Sequence, residues 1–175
     1  GRALSQLSST ALDIKPSKCS PGQVIACDAR ATAFDADIWI TDPPYADAIN
    51  YDEISEYFLA WYEGHLARLF PTWPTDSRRA LAVKGRDESF MRAMVECYAR
   101  LAEHMPKRGV QVVMFTHQDA SVWADVALIL WAAGLQVTAA WCIATETVSE
   151  LRSGNYVQGT VLLILRKQTS TDTAF

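Results

Sequence analysis

The chain reads as an α/β domain built around a mostly parallel sheet, and three observations predict this. Short β-branched and aromatic runs, such as Ile38-Trp39-Ile40, alternate with stretches whose apolar residues recur at helical spacing. The run 110–116 is almost continuously apolar, as in a strand covered on both faces by helices. The order strand, strand, helix, helix, strand, helix, strand, strand supplies the helical crossovers that parallel strands need.

Length and composition bound the rest. The chain has 175 residues, enough for one domain with a core. Half are hydrophobic and 21% are charged, a globular composition. No apolar run reaches the length of a membrane span, and the sequence carries no signal-peptide pattern. The opening Gly1-Arg2, without Met, leads us to expect an excised segment. Cys19, Cys27, Cys97 and Cys142 form no Cys-x-x-Cys pair, so no metal or redox motif is expected, and a reducing, cytoplasmic setting is. Cys97 and Cys142 lie in apolar contexts and are expected in the core. The net charge of -4 counts against a protein that grips a phosphate backbone unaided. Either the DNA-binding charge lies on another domain or chain, or nucleic acid is not the partner.

In chain order, residues 3–14 carry Leu4, Leu7 and Leu12 and read as a short helix, and 15–22 as a loop. These 22 residues precede a core over 23–167 and a tail over 168–175, all within one domain, 1–175. Gln23 to Cys27 reads as a first strand ending in Asp28-Ala29, and Asp37 to Thr41 as the central strand. Asp52 is a candidate cap for a helix whose Ile54, Tyr57, Phe58, Trp61, Leu66 and Leu69 form an apolar stripe expected in the core. Residues 70–86 read as a surface loop whose Arg78, Arg79, Lys84 and Arg86 either meet phosphate or are simply solvated.

Asp87 to Met105 reads as a second amphipathic helix, with Phe90, Met94, Tyr98, Leu101 and Met105 on one face and Pro106 and Gly109 as its stop. A strand follows over 110–116, and His117 behind it reads as a hydrogen-bonded loop residue. Asp119 caps a third helix that turns Val122, Trp123, Val126 and Leu130 inward and stops at Gly134. The strands Leu135–Ala144 and Tyr156–Arg166 are expected to pair antiparallel.

The stretch with chemistry is Asp42-Pro43-Pro44-Tyr45, directly after the central strand, where ligands sit in open α/β sheets. A nucleobase's exocyclic amine is a poor nucleophile, because its lone pair is delocalised into the ring. A site that methylates it must accept both N–H hydrogens. Asp42 offers a carboxylate, and Pro43 offers a carbonyl on a residue that Pro44 holds extended. Neither proline has an N–H to compete with the substrate's donors. Tyr45 offers a flat face for an extruded base. Asn50 and Tyr51, in the loop beyond, and Lys84 are candidate substrate contacts. As a bare four-residue match, the stretch is equally a strand-ending turn.

With these residues in place, Asp42-Pro43-Pro44-Tyr45 after a hydrophobic strand resembles motif IV of the amino-methyltransferases that use S-adenosylmethionine. The run from Asp42 through Glu53-Ile54-Ser55-Glu56-Tyr57-Phe58 to Trp61 resembles one bacterial family of large adenine-specific DNA methylases. There the tetrapeptide leads into an Asp/Glu-Leu-Ser-Glu/Asp-Phe-Phe-x-x-Trp helix. The segments 112–117, 141–146 and 160–167 are similar to that family's later strands, so the likeness runs in order over about residues 23 to 167. It implies a partial Rossmann-like methyltransferase fold, with helices on both faces of the sheet and a C-terminal antiparallel strand pair. It also implies Asp42, Pro43, Pro44 and Tyr45 as catalytic residues, and Asp28 with Ala29 as cofactor contacts at the first strand's end. Asp28 is equally readable as a turn aspartate. DNA is the implied substrate. Cytosine, an RNA base, a protein glutamine or a non-catalytic partner-binding role are the alternatives.

One feature departs from the family. A cofactor-binding half needs a glycine-rich turn between its first strand and helix. The eight glycines form no Gly-x-Gly pair. The chain is therefore expected to be the catalytic-motif portion, supplied with its cofactor cradle by an N-terminal half or a second chain. The strand edge at 37–41 is expected to be covered by the 23–27 strand or by another chain.

Overall fold

The computed structural model describes Gly22 and residues 24–44, 51–77, 79–85, 87–144 and 159–169. Strand β1 spans Ile38–Thr41, helix α1 Tyr51–Leu69, α2 Glu88–Glu103, β2 Val110–Phe115, α3 Ala120–Ala132, β3 Leu135–Ile143 and β4 Thr160–Lys167. Short 3-10 turns lie at Ala29–Ala31 and Arg79–Leu81. The expected helix at 3–14 and the start of the last strand at 156–158 lie outside the described residues.

The sheet has the order β1-β2-β4-β3. Strand β1 runs parallel to β2, with Ile38 opposite Val110 and Thr41 opposite Val113. Strand β4 is antiparallel to both β2 and β3. So β1, β2 and β3 point one way and β4 alone opposes them. The fold is α/β, but the expectation of a mostly parallel sheet is corrected. The hairpin expected at the C-terminus is present, yet its second strand inserts between β2 and β3, so two of the three ladders are antiparallel.

Of the strand expected at 23–27, the described residues 24–27 form none. Residues 24–28 have no ladder partner, and Val24 and Ile25 are exposed. A strand needs a neighbour to satisfy its backbone, and no described strand lies beyond β1. The chain instead turns at Asp28 and is fastened along α2: Arg100 Nε donates to the Thr32 carbonyl at 2.8 Å, and Ala36 N to the His104 carbonyl at 3.0 Å. The β1 edge, expected to be covered, has no partner strand beyond it among the described residues. Ile38 and Ile40 are exposed, Ile40 at 68%.

The core lies on one face of the sheet. Phe90, Met94, Tyr98 and Leu101 of α2, with Met105 just past its end, meet Val122, Ile129 and Leu130 of α3 and Val113, Phe115, Leu135 and Leu165 of the strands. Helix α2 starts where the sequence predicts, because the Asp87 carboxylate caps it by accepting from Phe90 N at 3.0 Å. Helix α3 is capped in the same way by Asp119, on Ser121 N at 2.8 Å, and ends at Gly134, whose φ of +78° suits glycine. A register shift between Val137 and Ala139 changes which residues face the helices. Leu135 is buried, whereas Trp141 and Ile143 point to the other face and are exposed.

On that other face the expected helices are not seen among the described residues. Ile38, Ile40, Trp141 and Ile143 remain exposed on it among the described residues. Helix α1 corrects another expectation. Its Ile54, Tyr57, Phe58, Trp61 and Leu69 are all exposed, Trp61 at 71%, because no described element covers them. Asp52 lies in its first turn rather than capping it. Cys142 is exposed rather than in the core, and Cys97 is half-buried, where burial pushes its thiol pKa up.

Candidate active site at the carboxyl ends of the strands

Because β1, β2 and β3 run the same way, their carboxyl ends share one edge of the sheet. Asp42-Pro43-Pro44 leaves that edge after Thr41, Thr116-His117 leaves it after Phe115, and Gly159 enters it before β4. Thr116 Oγ1 donates to the Gly159 carbonyl at 3.0 Å, which ties two of these connections together. His117 is a hydrogen-bonded loop residue, as its position implied. Its Nδ1 accepts from Asp119 N at 3.0 Å, and its carbonyl accepts from Trp123 Nε1 at 2.9 Å.

Asp42 is exposed, and Pro43 and Pro44 are half-buried. The two prolines line a cavity of about 210 Å³ set between α2 and α3. Phe90, Met94 and Tyr98 of α2, Phe115 of β2 and Val122 and Ile129 of α3 form its apolar walls, and Asp119, Ser121 and Asp125 supply its polar groups. No lining residue is basic. Apolar walls with carboxylates suit a flat, largely apolar group that carries N–H donors, and they repel phosphate. Within it, Tyr98 is 3% exposed, and its hydroxyl lies 3.2 Å from Thr41 Oγ1. Burial pushes the phenol up to about 12; the Thr41 bond opposes this, and the charge of Asp42 adds to it.

The other candidates are placed apart from this hollow. Asp28 accepts from Arg30 N at 2.9 Å and holds the Arg30 guanidinium through Nε and Nη2, at 3.0 and 2.8 Å. That bond holds its carboxyl below the usual carboxylate range. Asp28 and Ala29 line a different hollow with Pro74, Ser77, Leu81 and Cys97. Lys84 is paired with Asp52, Nζ to Oδ2 at 2.9 Å. Tyr51 is the first residue of α1 rather than a loop residue, and it is exposed. Tyr45, Asn50, Arg78 and Arg86 lie outside the described residues.

Sequence reasoning placed Tyr98 only in a core stripe. The available signal was a hydroxyl among Phe, Met and Leu, since a buried tyrosine O–H needs a partner. Among the described residues, no group of three or more His, Cys, Asp or Glu could hold a metal ion, and no helix is long and apolar enough to cross a membrane. Compared with family models, with curated proteins and with solved structures, the chain has no match.

Proposed function

We propose that this chain is the catalytic-motif portion of an S-adenosylmethionine-dependent methyltransferase that acts on the exocyclic amine of adenine in DNA. One observation carries the reading. An exposed Asp42 and the half-buried Pro43 and Pro44 stand at the carboxyl end of β1, beside a hollow with apolar walls and carboxylates. In this reading the Asp42 carboxylate and the Pro43 carbonyl accept the two N–H donors of the amine, and Tyr45 stacks on the base. Their work is positioning: the amine is held in line, and Asp42 offsets the positive charge the nitrogen develops.

The described residues do not fit the methyl donor. The sequence has no Gly-x-Gly turn, and the Asp28 carboxylate is engaged by Arg30. The donor is then held by another segment, an N-terminal half or a second chain, and so is the DNA, given the net charge of -4. Methyl transfer by the chain joined to that half, read by mass spectrometry of digested DNA, tests the proposal. Methylated adenine is expected, and Asp42→Ala should lower the rate by about a hundredfold or more. A rate within about threefold of wild type would remove Asp42 from the mechanism. Methylated cytosine in the same digests, or a methylated RNA base or protein glutamine in parallel assays on those substrates, would keep the fold's role and change the substrate.

The β1 edge, which no described strand covers, and the exposed aromatics of α1 favour a second reading, a non-catalytic module that binds a partner there. Co-purification of a chain with a glycine-rich loop separates the two, because it favours a split enzyme.

A further inference from the structure

Among the described residues, Asp42, Pro43 and Pro44 make no backbone hydrogen bond beyond the sheet. Thr41 is the last residue of β1 in register with β2, opposite Val113. The two prolines that follow Asp42 have no N–H to donate. What holds the corner's direction is then a matter of side chains. Thr41 points toward α2, and its Oγ1 lies 3.2 Å from the Tyr98 hydroxyl, with either oxygen as donor. Tyr98 lies in the middle of α2 with its ring packed among core residues, so its hydroxyl is a fixed point. Tyr98 also shares the walls of one cavity with Pro43 and Pro44.

We infer that Tyr98 is a positioning residue: its hydrogen bond to Thr41 sets the angle at which Asp42-Pro43-Pro44 leaves the sheet. Its aromatic ring belongs to the core, and its single oxygen belongs to the site. In the methyltransferase reading, on which this role's value for catalysis rests, a small error in that angle moves the Asp42 carboxylate and the Pro43 carbonyl off the amine.

The ring and the oxygen are separable. Tyr98→Phe keeps the packing and removes the hydroxyl, Thr41→Val removes the partner at nearly constant shape, and Thr41→Ser keeps the bond. Backbone 15N relaxation on the whole 175-residue chain reads the outcome without any need for activity. The Asp42 amide is expected to have an order parameter near about 0.85 in wild type and below about 0.6 in Tyr98→Phe and in Thr41→Val. The double variant should lose no more than either single one, and Thr41→Ser should keep the wild-type value. Amides of β2 and β4 should not change in any of them. An Asp42 order parameter equal to wild type in both single variants would overturn the role, and Thr41→Val alone decides it if Tyr98→Phe does not fold.

In the chain joined to its cofactor half, Tyr98→Phe should then lower kcat about tenfold with KM unchanged. An inactive wild type beside a loosened Asp42 in the variants would sink the methyltransferase reading and leave the positioning role standing.

Discussion

Trp39 and Gln111 stand directly opposite each other on β1 and β2, and both carry buried polar atoms without a hydrogen-bond partner among the described residues. Trp39 Nε1 and both polar atoms of the Gln111 side chain are affected, and Gln111 is 0% exposed. A buried amide left unpaired costs about 1–3 kcal/mol. Gln111→Leu, of similar volume, should therefore stabilise the chain by about 1 kcal/mol in urea unfolding. A loss of stability would mean that the amide is satisfied after all.

Gly159 is pressed against β3 at its junction with β4. A Cβ there would sit 2.6 Å from the Ile143 carbonyl oxygen, which is backbone and cannot swing away. Gly159→Ala should destabilise by roughly 1–3 kcal/mol. It should also shift the Thr116 amide signal, because Thr116 Oγ1 is bonded to the Gly159 carbonyl. A melting temperature equal to wild type would contradict this close approach.

Tyr98 makes the chain sensitive to alkali. Its phenol goes from the ordinary 10.0 up to about 12 when folded, mainly through burial. A folded value above the unfolded one means stability that is full below pH 10 and lost as the pH rises toward 12. The difference corresponds to roughly 3 kcal/mol. Urea midpoints from pH 9 to 12 should fall steeply in wild type and less in Tyr98→Phe. Parallel curves for the two proteins would count against a buried, protonated Tyr98.

Helix α1 is predicted to be nearly silent toward stability. Phe58 and Trp61 are exposed on it. Phe58→Ser and Trp61→Ser should each change unfolding free energy by no more than about 0.5 kcal/mol. Had these residues been in the core, losses of about 3–5 kcal/mol would be expected. A loss of that size in the 175-residue chain would show that α1 is covered after all.

Much of the fold was legible in local pattern. The Phe90, Met94, Tyr98, Leu101, Met105 stripe marked the buried face of α2, and Asp87 marked its start. Asp119 and Gly134 bounded α3 for reasons of capping and backbone freedom that need no tertiary contact. The aromatic stripe of α1 shows where such reading stops. Periodicity says which side of a helix is apolar, and only a neighbouring element makes that side buried. The same limit explains residues 24–27, whose β-branched Val24 and Ile25 favour a strand that has no partner among the described residues to complete it. The candidate site was legible as Asp42-Pro43-Pro44, while the Thr41–Tyr98 bond spans 57 positions and joins a strand end to the middle of a helix.

From the order of residues alone came the identity of the three described helices, the strands expected at 37–41 and 110–116, and a chemically pointed corner between them. Only the assembled sheet decided that β4 lies between β2 and β3, that one face of the sheet is left uncovered among the described residues, and that a core tyrosine meets the threonine at the corner. Capping, turns and periodicity act over a few residues and are written locally. Strand order, burial and hydroxyl pairing depend on which distant segments meet, and that is settled by packing.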